Sequence, residues 1–514
     1  MTYTLTKDGR DLTATEEQST IIDYAKGTSP PLRLLLNALA GAAKTSTLEF
    51  LCKYMTLEPT LSVAFNKKIA DEMTKRLPGH VRCATMNSIG HRVWGAAVGK
   101  KLALDTKKNY NLVKDGIDRL DRRDREYAWD CFGDMMKAIS QAKLSGYIPK
   151  GSPGRPLVSE DEFFGRLDEE PEDFFIRIVN EALLQGIKQS YAGLIDFDDQ
   201  IYMPTLFGGS FPQFPRVMVD EAQDLSALNH EMIAKLVTRD LIAVGDPNQS
   251  IYAFRGAVTS SMARLKSTFS MNEMTLSVSF RCPISGVKRQ QNRVPHMKWA
   301  PWAIEGSVEN LTEWNAKDIP DASAVICRNN APLFSCALQL IRAGRGCHLV
   351  GTDLGPQLIK TLKKFGDLAM TQEKVYDAID EWEREKLRKS RNAASVSDKA
   401  ECLRVFAEFG PTLGAAIAYA EHLFASKGPI QLLSGHKAKG LEWDTIYHLD
   451  PHRIPSPWCR EGEALEQEHN VRYVIETRFK KEMFLVRLED FNNEPTQSHG
   501  SVSEGDGRDA NTFE

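Results

Sequence analysis

Residues 32–54 read LRLLLNALAGAAKTSTLEFLCKY: an apolar run, a turn of small residues and then a helical pattern. A strand that ends in such a turn directs several backbone amides towards one point, and the start of the next helix favours an anion there. Gly41 lies inside the turn, and Lys44 and Thr45 stand at the predicted start of the helix. A lysine there can contact phosphate oxygens, and a hydroxyl can contact magnesium. The stretch therefore predicts a phosphate-binding turn.

Two alanines depart from the strict form of this turn. Ala38 and Ala43 stand where the strict pattern has glycine. Alanine tolerates left-handed backbone dihedrals less well than glycine, and its Cβ atom can crowd a phosphate. We therefore expect a distorted turn or reduced nucleotide affinity. Taken alone, the stretch is also compatible with an ordinary alanine-rich junction between a strand and a helix.

Two further apolar runs end in polar residues that suit a metal–nucleotide complex. MVDEAQD ends one run with Asp220 and Glu221, and LIAVGD ends another with Asp246, followed by Gln249. Asp220 is predicted to hold magnesium, and Glu221 to orient and deprotonate the attacking water. An acidic pair after a strand is also common at a solvated loop start. However, parallel strands bring their carboxyl ends to one edge of a sheet, where ligands bind, so three such ends predict one nucleotide site.

Composition limits the classes of protein to which the chain can belong. Its 514 residues suggest about three or four compact units, and 42% apolar with 26% charged residues is typical of a globular protein. The net charge of −4 gives no global attraction to nucleic acid, so any such contact must come from local grooves. Nine scattered cysteines without a C-x-x-C pair indicate neither disulfides nor a structural zinc site, which fits a reducing compartment. No segment resembles a membrane span or a secretory signal.

Apolar runs alternate with helical periodicity in two parts of the chain, which predicts an α/β fold with two parallel sheets. Strand candidates in the second part are SAVIC, CHLVG, PIQLLSG and DTIYHLD. Long charged helical stretches interrupt both parts. The predicted division gives residues 1–99 and 191–256 to a first domain, 100–190 to its helical insertion, 257–352 and 428–491 to a second domain, 353–427 to a small helical insertion in it, and 492–514 to a disordered tail.

The order of these motifs resembles that of the UvrD/Rep-like helicases of superfamily 1. DEAQD, GDPNQSIYAFRGA, GHKAKGLEWD and YVIETRFKK occur in the family order, and the resemblance extends to about residue 490. Asn470, in QEHNVRYV, stands at a usual arginine position. This detail and the short helical insertion are similar to the F-box DNA helicase branch and to phage-type helicases. The resemblance implies two RecA-like motor domains of the P-loop NTPase class, each with a mainly helical insertion.

The resemblance also implies a role for each residue around the nucleotide. Gln18, in TATEEQ, reads the adenine edge, and Phe280, in SFRCP, stacks on the base. Gln249 senses the γ-phosphate, while Arg281 and Arg478 reach across from the second domain to stabilise charge on the transferred phosphoryl group. The complete expected set comprises the catalytic residues Glu221, Lys44, Gln249, Arg281 and Arg478, the nucleotide-binding residues Gln18, Gly41, Ala42, Ala43, Lys44, Thr45, Ser46 and Phe280, with Glu442 near the ribose and γ-phosphate, and the magnesium ligands Thr45 and Asp220.

A motor that moves along one strand needs aromatic platforms for bases and polar groups that follow the backbone. The resemblance places Phe65, Tyr252 and Phe254 at base pockets. Each expected contact has a plainer alternative, since isolated aromatics are most often core residues and lysines often form a solvated face. Asn87 replaces the histidine that is usual in its motif. The other expected DNA contacts are Thr85, Asn87, Ser88, Arg255, His436 and Lys439.

The resemblance implies an ATP-dependent DNA helicase or translocase that uses ATP and Mg²⁺, moves 3′ to 5′ on single-stranded DNA and unwinds duplex in replication, recombination or repair. The alternatives are a DNA-stimulated ATPase that strips proteins or remodels filaments with little unwinding, and a catalytically weak DNA-binding scaffold, which Ala38 and Ala43 suggest. Expected partners are single-stranded DNA, DNA junctions and replication or recombination proteins, with no membrane. We expect a monomer or weak oligomer in the cytoplasm of a bacterial or phage-infected cell, or in a eukaryotic nucleus.

Overall fold

Two six-stranded sheets, each parallel throughout, dominate the described part of the chain. The α/β class with two parallel sheets, which the sequence predicted, is therefore confirmed. Over the same part of the chain, none of the helices has both the length and the apolarity needed to cross a bilayer. The computed structural model describes residues 2–7, 10–64, 66–167, 170–251, 261–351, 354–389 and 393–492.

The first sheet has the strand order β10-β3-β9-β8-β4-β5 and follows a small antiparallel pair, β1 (Thr4–Lys7) with β2 (Arg10–Thr13). Its strands are β3 (Arg33–Ala38), β4 (Thr60–Ala64), β5 (Val81–Thr85), β8 (Phe214–Val219), β9 (Val237–Gly245) and β10 (Asn272–Leu276). Its helices are α1 (Glu16–Gly27), α2 (Lys44–Tyr54), α3 (Lys67–Arg76), α4 (Met86–Val98), α10 (Asp199–Phe207), α11 (Ala227–Leu236) and α12 (Ser261–Phe269).

The central strands of this sheet contain uninterrupted apolar segments because helices cover both faces. Leu34, Leu35 and Leu36 follow one another along β3, so their side chains point to alternate faces, yet none is more than 2% exposed. Such a run is typical of a parallel sheet that is buried on both sides. The carboxyl ends of β3, β8 and β9 lie at one edge, and the polar residues that follow them are brought together there.

Five helices with their own core lie between α4 and α10. They are flanked by two short strands, β6 (Ala103–Leu104) and β7 (Leu194–Ile195), which pair in parallel. Val113, Met135 and Val179, each fully buried, belong to one apolar cluster between these helices. The helices are α5 (Lys108–Asp118), α6 (Arg122–Asp130), α7 (Phe132–Ser145), α8 (Glu160–Gly165) and α9 (Asp173–Tyr191).

A buried ion cluster joins these helices to the loop that leads into α10. Lys108 Nζ lies 2.6 Å from Asp199 Oδ2, and Lys143 Nζ lies 2.5 Å from Asp196 Oδ2 and 2.8 Å from Asp199 Oδ1. None of these four side chains is more than 9% exposed. Burial disfavours the charge on Lys143, but Asp199 and Asp196 outweigh this and raise its pKa. The cluster therefore fixes the helical insertion to the first sheet through paired charges.

The second sheet has the strand order β13-β18-β17-β14-β16-β15. Its strands are β13 (Ser307–Asn310), β14 (Ala324–Cys327), β15 (Cys347–Leu349), β16 (Ile430–Ser434), β17 (Trp443–Leu449) and β18 (Phe479–Val486), of which β14 to β17 contain the four predicted strands. Its helices are α13 (Ile284–Gln290), α14 (Asn330–Arg342), α19 (Gly435–Ala438) and α20 (Gly462–Glu476), and between β15 and β16 lie α15 (Gly355–Leu362), α16 (Gln372–Lys389), α17 (Ala393–Phe409) and α18 (Leu413–Ala425).

The chain leaves the first sheet later than the sequence analysis predicted. Strand β10 pairs in parallel with β3, with Leu276 opposite Ala38, so the first sheet extends beyond the predicted boundary at residue 256. As an edge strand, β10 is partly exposed and carries few apolar residues, so it shows no buried-strand pattern. The predicted disordered tail lies outside the described residues, apart from Asn492.

Ser277 begins the segment that connects the two six-stranded sheets. It separates β10 from β11 (Val278–Ser279), which pairs with β12 (Lys298–Trp299). The Ser277 amide donates to Glu17 Oε2 at 2.7 Å, and its hydroxyl donates to the other oxygen of the same carboxylate. The link between the domains is thus bonded to the first turn of α1.

Lys143→Met tests the buried ion cluster. It leaves Asp196 and Asp199 with a single cation in an apolar setting, and breaking a buried pair in this way costs about 3–5 kcal/mol. We expect a clear fall in the midpoint of urea unfolding followed by circular dichroism. Lys114→Met removes a lysine from the exposed Lys114–Asp118 pair and is the control, expected to leave the midpoint unchanged. Equal effects of the two changes would contradict a stabilising role for the cluster.

Candidate nucleotide site

The turn between β3 and α2 has the backbone expected of a phosphate-binding turn. Gly41 has a φ of 75°, and a Cβ atom there would lie 2.6 Å from Ser279 Oγ and 2.8 Å from Arg281 Cβ, so only glycine fits. Ala43 caps α2 with a φ of 53°, a left-handed conformation that costs a residue with a Cβ atom about 1–2 kcal/mol. Ala38 ends β3 without a positive φ. Of the two departures from glycine, only Ala43 carries backbone strain.

The first turn of α2 presents the expected phosphate contacts. Lys44, Thr45 and Ser46 are half-buried at this helix start, where the first amides have no partner inside the helix. Ala42 precedes them and is 2% exposed. Amides that point away from a helix start, together with the helix dipole, favour an anion. The turn and the helix start are therefore arranged to receive phosphate oxygens.

Lys44 and Glu221 form an ion pair across this edge of the first sheet. Lys44 Nζ lies 2.8 Å from Glu221 Oε1, and Gln223 Nε2 donates to Glu221 Oε2 at 2.5 Å. Burial alone would raise the pKa of Glu221, but Lys44 and, less strongly, Lys439 lower it to about 2. Burial, together with the Glu221 carboxylate, raises the pKa of Asp220 to about 6. Of these two carboxylates, Glu221 thus keeps its charge to lower pH, and Asp220 takes up a proton first as the pH falls.

Thr45 and Asp220, the expected magnesium ligands, fit that cation only together with a nucleotide. Mg²⁺ prefers oxygen ligands, keeps several waters and uses phosphate oxygens to complete its shell, so one hydroxyl and one carboxylate suffice. Asp220 is 9% exposed, and its Oδ1 accepts the Glu221 amide at 2.8 Å. Across the described ranges, no group of three or more His, Cys, Asp or Glu side chains could hold a metal by itself. Thr45 and Asp220 are therefore the residues that would hold Mg²⁺ together with phosphate oxygens.

Gln249 connects the first sheet to the second domain. Its Nε2 donates to Asp246 Oδ2 at 2.7 Å, and its Oε1 accepts from Arg478 Nη2 at 3.4 Å. Asp246 is fully buried and Arg478 is 1% exposed. Burial, with a contribution from Arg281, lowers the pKa of Arg478 to about 10, so it remains a cation at neutral pH. Arg281 Nε lies 2.7 Å from Glu442 Oε2. Arg478 therefore contacts the first domain directly, and Arg281 borders the same cleft because its Cβ atom lies beside Gly41.

Two side chains of α20 bond directly to the first domain. Tyr473 Oη accepts the Ala40 amide at 2.9 Å, and Asn470 Nδ2 donates to the Ser250 carbonyl at 2.9 Å. Both side chains are buried. Asn470, which departs from the usual arginine, thus contributes an amide contact across the cleft. These bonds hold α20 against the turn at Ala40 and the loop that follows β9.

The expected base-binding residues differ in their availability. Gln18 is 3% exposed; its Oε1 accepts the Thr15 amide at 3.0 Å, and its Nε2 donates to Thr47 Oγ1 at 2.9 Å. An adenine would have to share or displace these bonds. Phe280 is 37% exposed, and its ring centroid lies 5.8 Å from that of Trp302. Trp302 is 72% exposed, and the sequence analysis missed it. This aromatic pair offers an apolar surface beside the turn.

Residues expected on the DNA path lie at the start of α4 and near α19. Thr85 Oγ1 caps α4 by accepting the Ser88 amide at 3.1 Å, and Asn87 Nδ2 donates to the Phe197 carbonyl at 2.9 Å. His436 lies within α19 and is half-buried. Four other expected contacts lie outside the described residues, namely Phe65, Tyr252, Phe254 and Arg255.

The placement of Lys439 differs from the expected DNA contact. Its Nζ lies 2.7 Å from both carboxylate oxygens of Asp224 and 2.7 Å from the Gln249 carbonyl. The Lys439 side chain is 8% exposed. Two partners from the first domain therefore hold its ammonium inside the cleft. The spacing of GHKAKG identified the residue, but spacing does not show which way a side chain points.

Phe197 is a candidate DNA-contact residue that the sequence analysis missed. It is 56% exposed beside Asn87, between the buried Asp196 and the loop into α10. The pattern IDFDD contained a signal, because an aromatic flanked by acids fits neither a core strand nor a core helix. A cavity of about 190 Å³ lies next to this loop; its lining includes Asn87 and Asp198 on one side and Asp220 and Asp224 on the other.

Two family models match the chain. Residues 15–270 match the UvrD/REP helicase N-terminal domain, and residues 364–490 match the UvrD-like helicase C-terminal domain. F-box DNA helicase protein 1 of Schizosaccharomyces pombe is 24% identical over 530 residues, which cover 92% of this chain and 57% of that protein. F-box DNA helicase 1 of Gallus gallus is 25% identical, with coverages of 91% and 48%. ATP-dependent DNA helicase UvrD1 of Mycobacterium bovis is 28% identical over 44% of this chain and 32% of its own length.

These relatives are longer than this chain, which spans about half the length of the two F-box proteins. The first matched segment contains Lys44, Glu221 and Gln249, and the second contains Lys439 and Arg478. The matched segments thus contribute residues to both sides of the cleft, and Arg281 lies between them. This chain belongs to the UvrD/Rep-like helicases of superfamily 1.

Proposed function

We propose that the chain is an ATP-driven motor that moves on single-stranded DNA. The observation that carries this proposal is the meeting of charged groups from two sheets around one turn. Lys44 and Glu221 lie on the first side, Arg281 Cβ lies beside Gly41, and Arg478 is bonded to Gln249. Phosphoryl transfer is accelerated mainly by groups placed where charge develops, so cations from both domains suit it.

Each group on the first side has a separate task in this proposal. The amides of the turn and Lys44 hold the β- and γ-phosphates of ATP. Thr45 and Asp220 hold Mg²⁺, which neutralises charge on the phosphate oxygens when bound. Glu221 orients the attacking water and accepts its proton.

The second domain completes the site only while the cleft is closed. Arg281 and Arg478 stabilise the charge that develops on the transferred phosphoryl group. Gln249 contacts the γ-phosphate. Because its side-chain amide already bonds to Asp246 of the first domain and Arg478 of the second, a change at the γ-phosphate alters contacts in both domains. ATP binding therefore favours the closed cleft, and loss of the γ-phosphate favours its opening.

The Lys44–Glu221 contact must change when the nucleotide binds. In the structure these two groups neutralise each other at 2.8 Å. A γ-phosphate attracts Lys44, and a water molecule must occupy the space next to Glu221 for hydrolysis. Separation of the pair thus converts a stable resting state into the reactive one.

The DNA side of the first domain lies close to its nucleotide side. The cavity of about 190 Å³ is lined by Asn87, next to the exposed Phe197, and also by Asp220. Apolar side chains such as Ile201 and Val219 line the cavity together with these polar groups, and an exposed aromatic beside it suits an unstacked base, which any sequence can supply. We propose that a base bound in this cavity shifts the position of Asp220, which lines it, and thereby accelerates hydrolysis.

Travel from 3′ to 5′, duplex unwinding and a role in replication, recombination or repair are proposed from family membership. The relatives named F-box DNA helicase and ATP-dependent DNA helicase support DNA as the substrate. Duplexes with a 3′ or a 5′ single-stranded tail test direction, because a 3′ to 5′ motor displaces only the strand opposite a 3′ tail. A motor that hydrolyses ATP on DNA but displaces neither duplex would favour the protein-stripping alternative.

ATP turnover with and without a single-stranded oligonucleotide tests the central proposal. We expect DNA to stimulate hydrolysis more than RNA does, and Lys44→Ala to abolish the stimulated rate because the phosphates lose their cation. Glu221→Gln keeps the shape but removes the base, and its rate should fall by about 10²–10⁴-fold. Absence of stimulation by DNA in the wild-type protein would refute the motor.

Arg478→Ala tests the contribution of the second domain. Removing one preorganised charge-stabilising group should lower kcat by about 10²–10³-fold. The KM for ATP should change much less, because binding is provided by the first domain. Arg472→Ala is the matched control, because Arg472 lies on α20 just before Arg478 and is bonded to the Ile454 carbonyl within the second domain. Normal turnover by the Arg478 variant would mean that the cleft is wrongly assigned.

Phe197→Ala tests the proposed base platform. Loss of one stacked base costs about 1–3 kcal/mol, so affinity for single-stranded DNA should fall by about five- to 150-fold in fluorescence anisotropy. ATP turnover without DNA should be retained, since Phe197 is not part of the nucleotide site. Phe197→Trp should preserve stacking. Unchanged DNA affinity in the alanine variant would exclude this residue from the DNA path.

A further inference from the structure

Lys439 connects the second domain to two separate motifs of the first. It follows α19, and its ammonium lies 2.7 Å from Asp224 Oδ1, from Asp224 Oδ2 and from the Gln249 carbonyl. The Lys439 side chain is 8% exposed and that of Asp224 is 6% exposed. An ion pair with both partners buried and with three short bonds is a well-defined contact that solvent screens weakly.

The two partners of Lys439 belong to the chemistry of the nucleotide. Asp224 lies in MVDEAQD with Glu221, and the Gln223 side chain between them donates to Glu221 at 2.5 Å. Gln249 is the proposed γ-phosphate contact. Its side chain is bonded by Arg478, while its carbonyl is bonded by Lys439. The second domain thus holds Gln249 at two points, one on the side chain and one on the backbone.

A DNA phosphate is a poor alternative partner for this ammonium. To reach one, Lys439 would have to leave Asp224, whose carboxylate would then be buried without its counter-ion, a costly arrangement. A lysine that tracks a DNA backbone is normally exposed and screened by salt, whereas this one is enclosed by groups of the first domain. The local geometry therefore favours a role within the cleft.

We propose that Lys439 is a positioning residue that locks the closed cleft: by binding Asp224 and the Gln249 carbonyl, it sets Gln249 against the γ-phosphate and links closure of the cleft to hydrolysis. This inference rests on the proposed ATP-driven function. It assigns Lys439 to coupling between the domains and removes it from the DNA path. Opening of the cleft breaks three bonds at once, so the lock is either made or lost as a unit.

The experiment compares Lys439→Met, Asp224→Asn, the double variant and Lys439→Arg in the full chain. For each, kcat and KM for ATP are measured at saturating single-stranded DNA. Affinity for a labelled oligonucleotide is measured without nucleotide at several salt concentrations. Lys437→Met is the matched control, because it removes one positive charge from the same segment while its side chain lies against Gly351 of the second domain.

We expect Lys439→Met to lower the DNA-stimulated kcat by at least about tenfold, with KM for ATP changed by less than about threefold. DNA affinity and its salt dependence should match the wild type. The double variant should be no worse than Lys439→Met, because residues that act as one contact are not additive. Lys439→Arg should recover part of the stimulated rate because it keeps the positive charge. No such recovery is expected if the effect of Lys439→Met comes only from a general loss of structure.

The opposite pattern would overturn the inference. If Lys439→Met weakens DNA binding and reduces the slope of log affinity against log salt by about one, while kcat at saturating DNA is kept, Lys439 is a phosphate contact. Fully additive effects of Lys439→Met and Asp224→Asn would also refute the lock. If the single variants do not fold, the test uses the two other variants. The double variant leaves no unpaired buried charge and Lys439→Arg keeps the charge, so their kcat and DNA affinity still distinguish a lock from a phosphate contact. A wild-type protein without DNA-stimulated turnover would instead refute the proposed function.

Discussion

Charges buried in a cleft between two sheets are the constraint on which the rest of this structure depends. Asp246 is fully buried on one side and Arg478 is 1% exposed on the other, and Gln249 bonds to both. Isolated buried charges are unfavourable, so each side needs the polar groups of the other. The parallel sheets make this possible because the carboxyl ends of their strands present polar loops at one edge. The fold and the chemistry are therefore linked by electrostatics.

Much of the site could be predicted because its residues follow buried strands directly. β3 and β9 each contain an apolar run, and the polar residues that follow these runs mark the nucleotide edge without any knowledge of the tertiary structure. The short edge strands β10 and β13 were not predicted, since they are partly exposed and lack an apolar run. The pattern of apolar residues in a sequence reflects burial, so a half-exposed strand is difficult to recognise from it.

The orientation of side chains in the cleft could not be predicted. Lys439 and its partner Asp224 are far apart in the sequence, and only the packing of two domains brings the ammonium to the carboxylate. Phe197 was missed for a related reason, since its exposure depends on the anchoring of the loop around it. The sequence predicted a distorted phosphate-binding turn but not where the distortion lies. The backbone dihedrals show it at Ala43, which has a positive φ, and not at Ala38. Motif spacing thus identifies the participants, and tertiary contacts decide their roles.

The bond between Ser277 and Glu17 has a mechanical consequence. Ser277 is the first residue of the segment that connects the two sheets, and Glu17 precedes Gln18 in the first turn of α1. The same helix end is bonded to α2, because Gln18 Nε2 donates to Thr47 Oγ1 at 2.9 Å. The segment between the two sheets and the helix that begins at Lys44 are therefore joined through α1, so a displacement of one would be transmitted to the other.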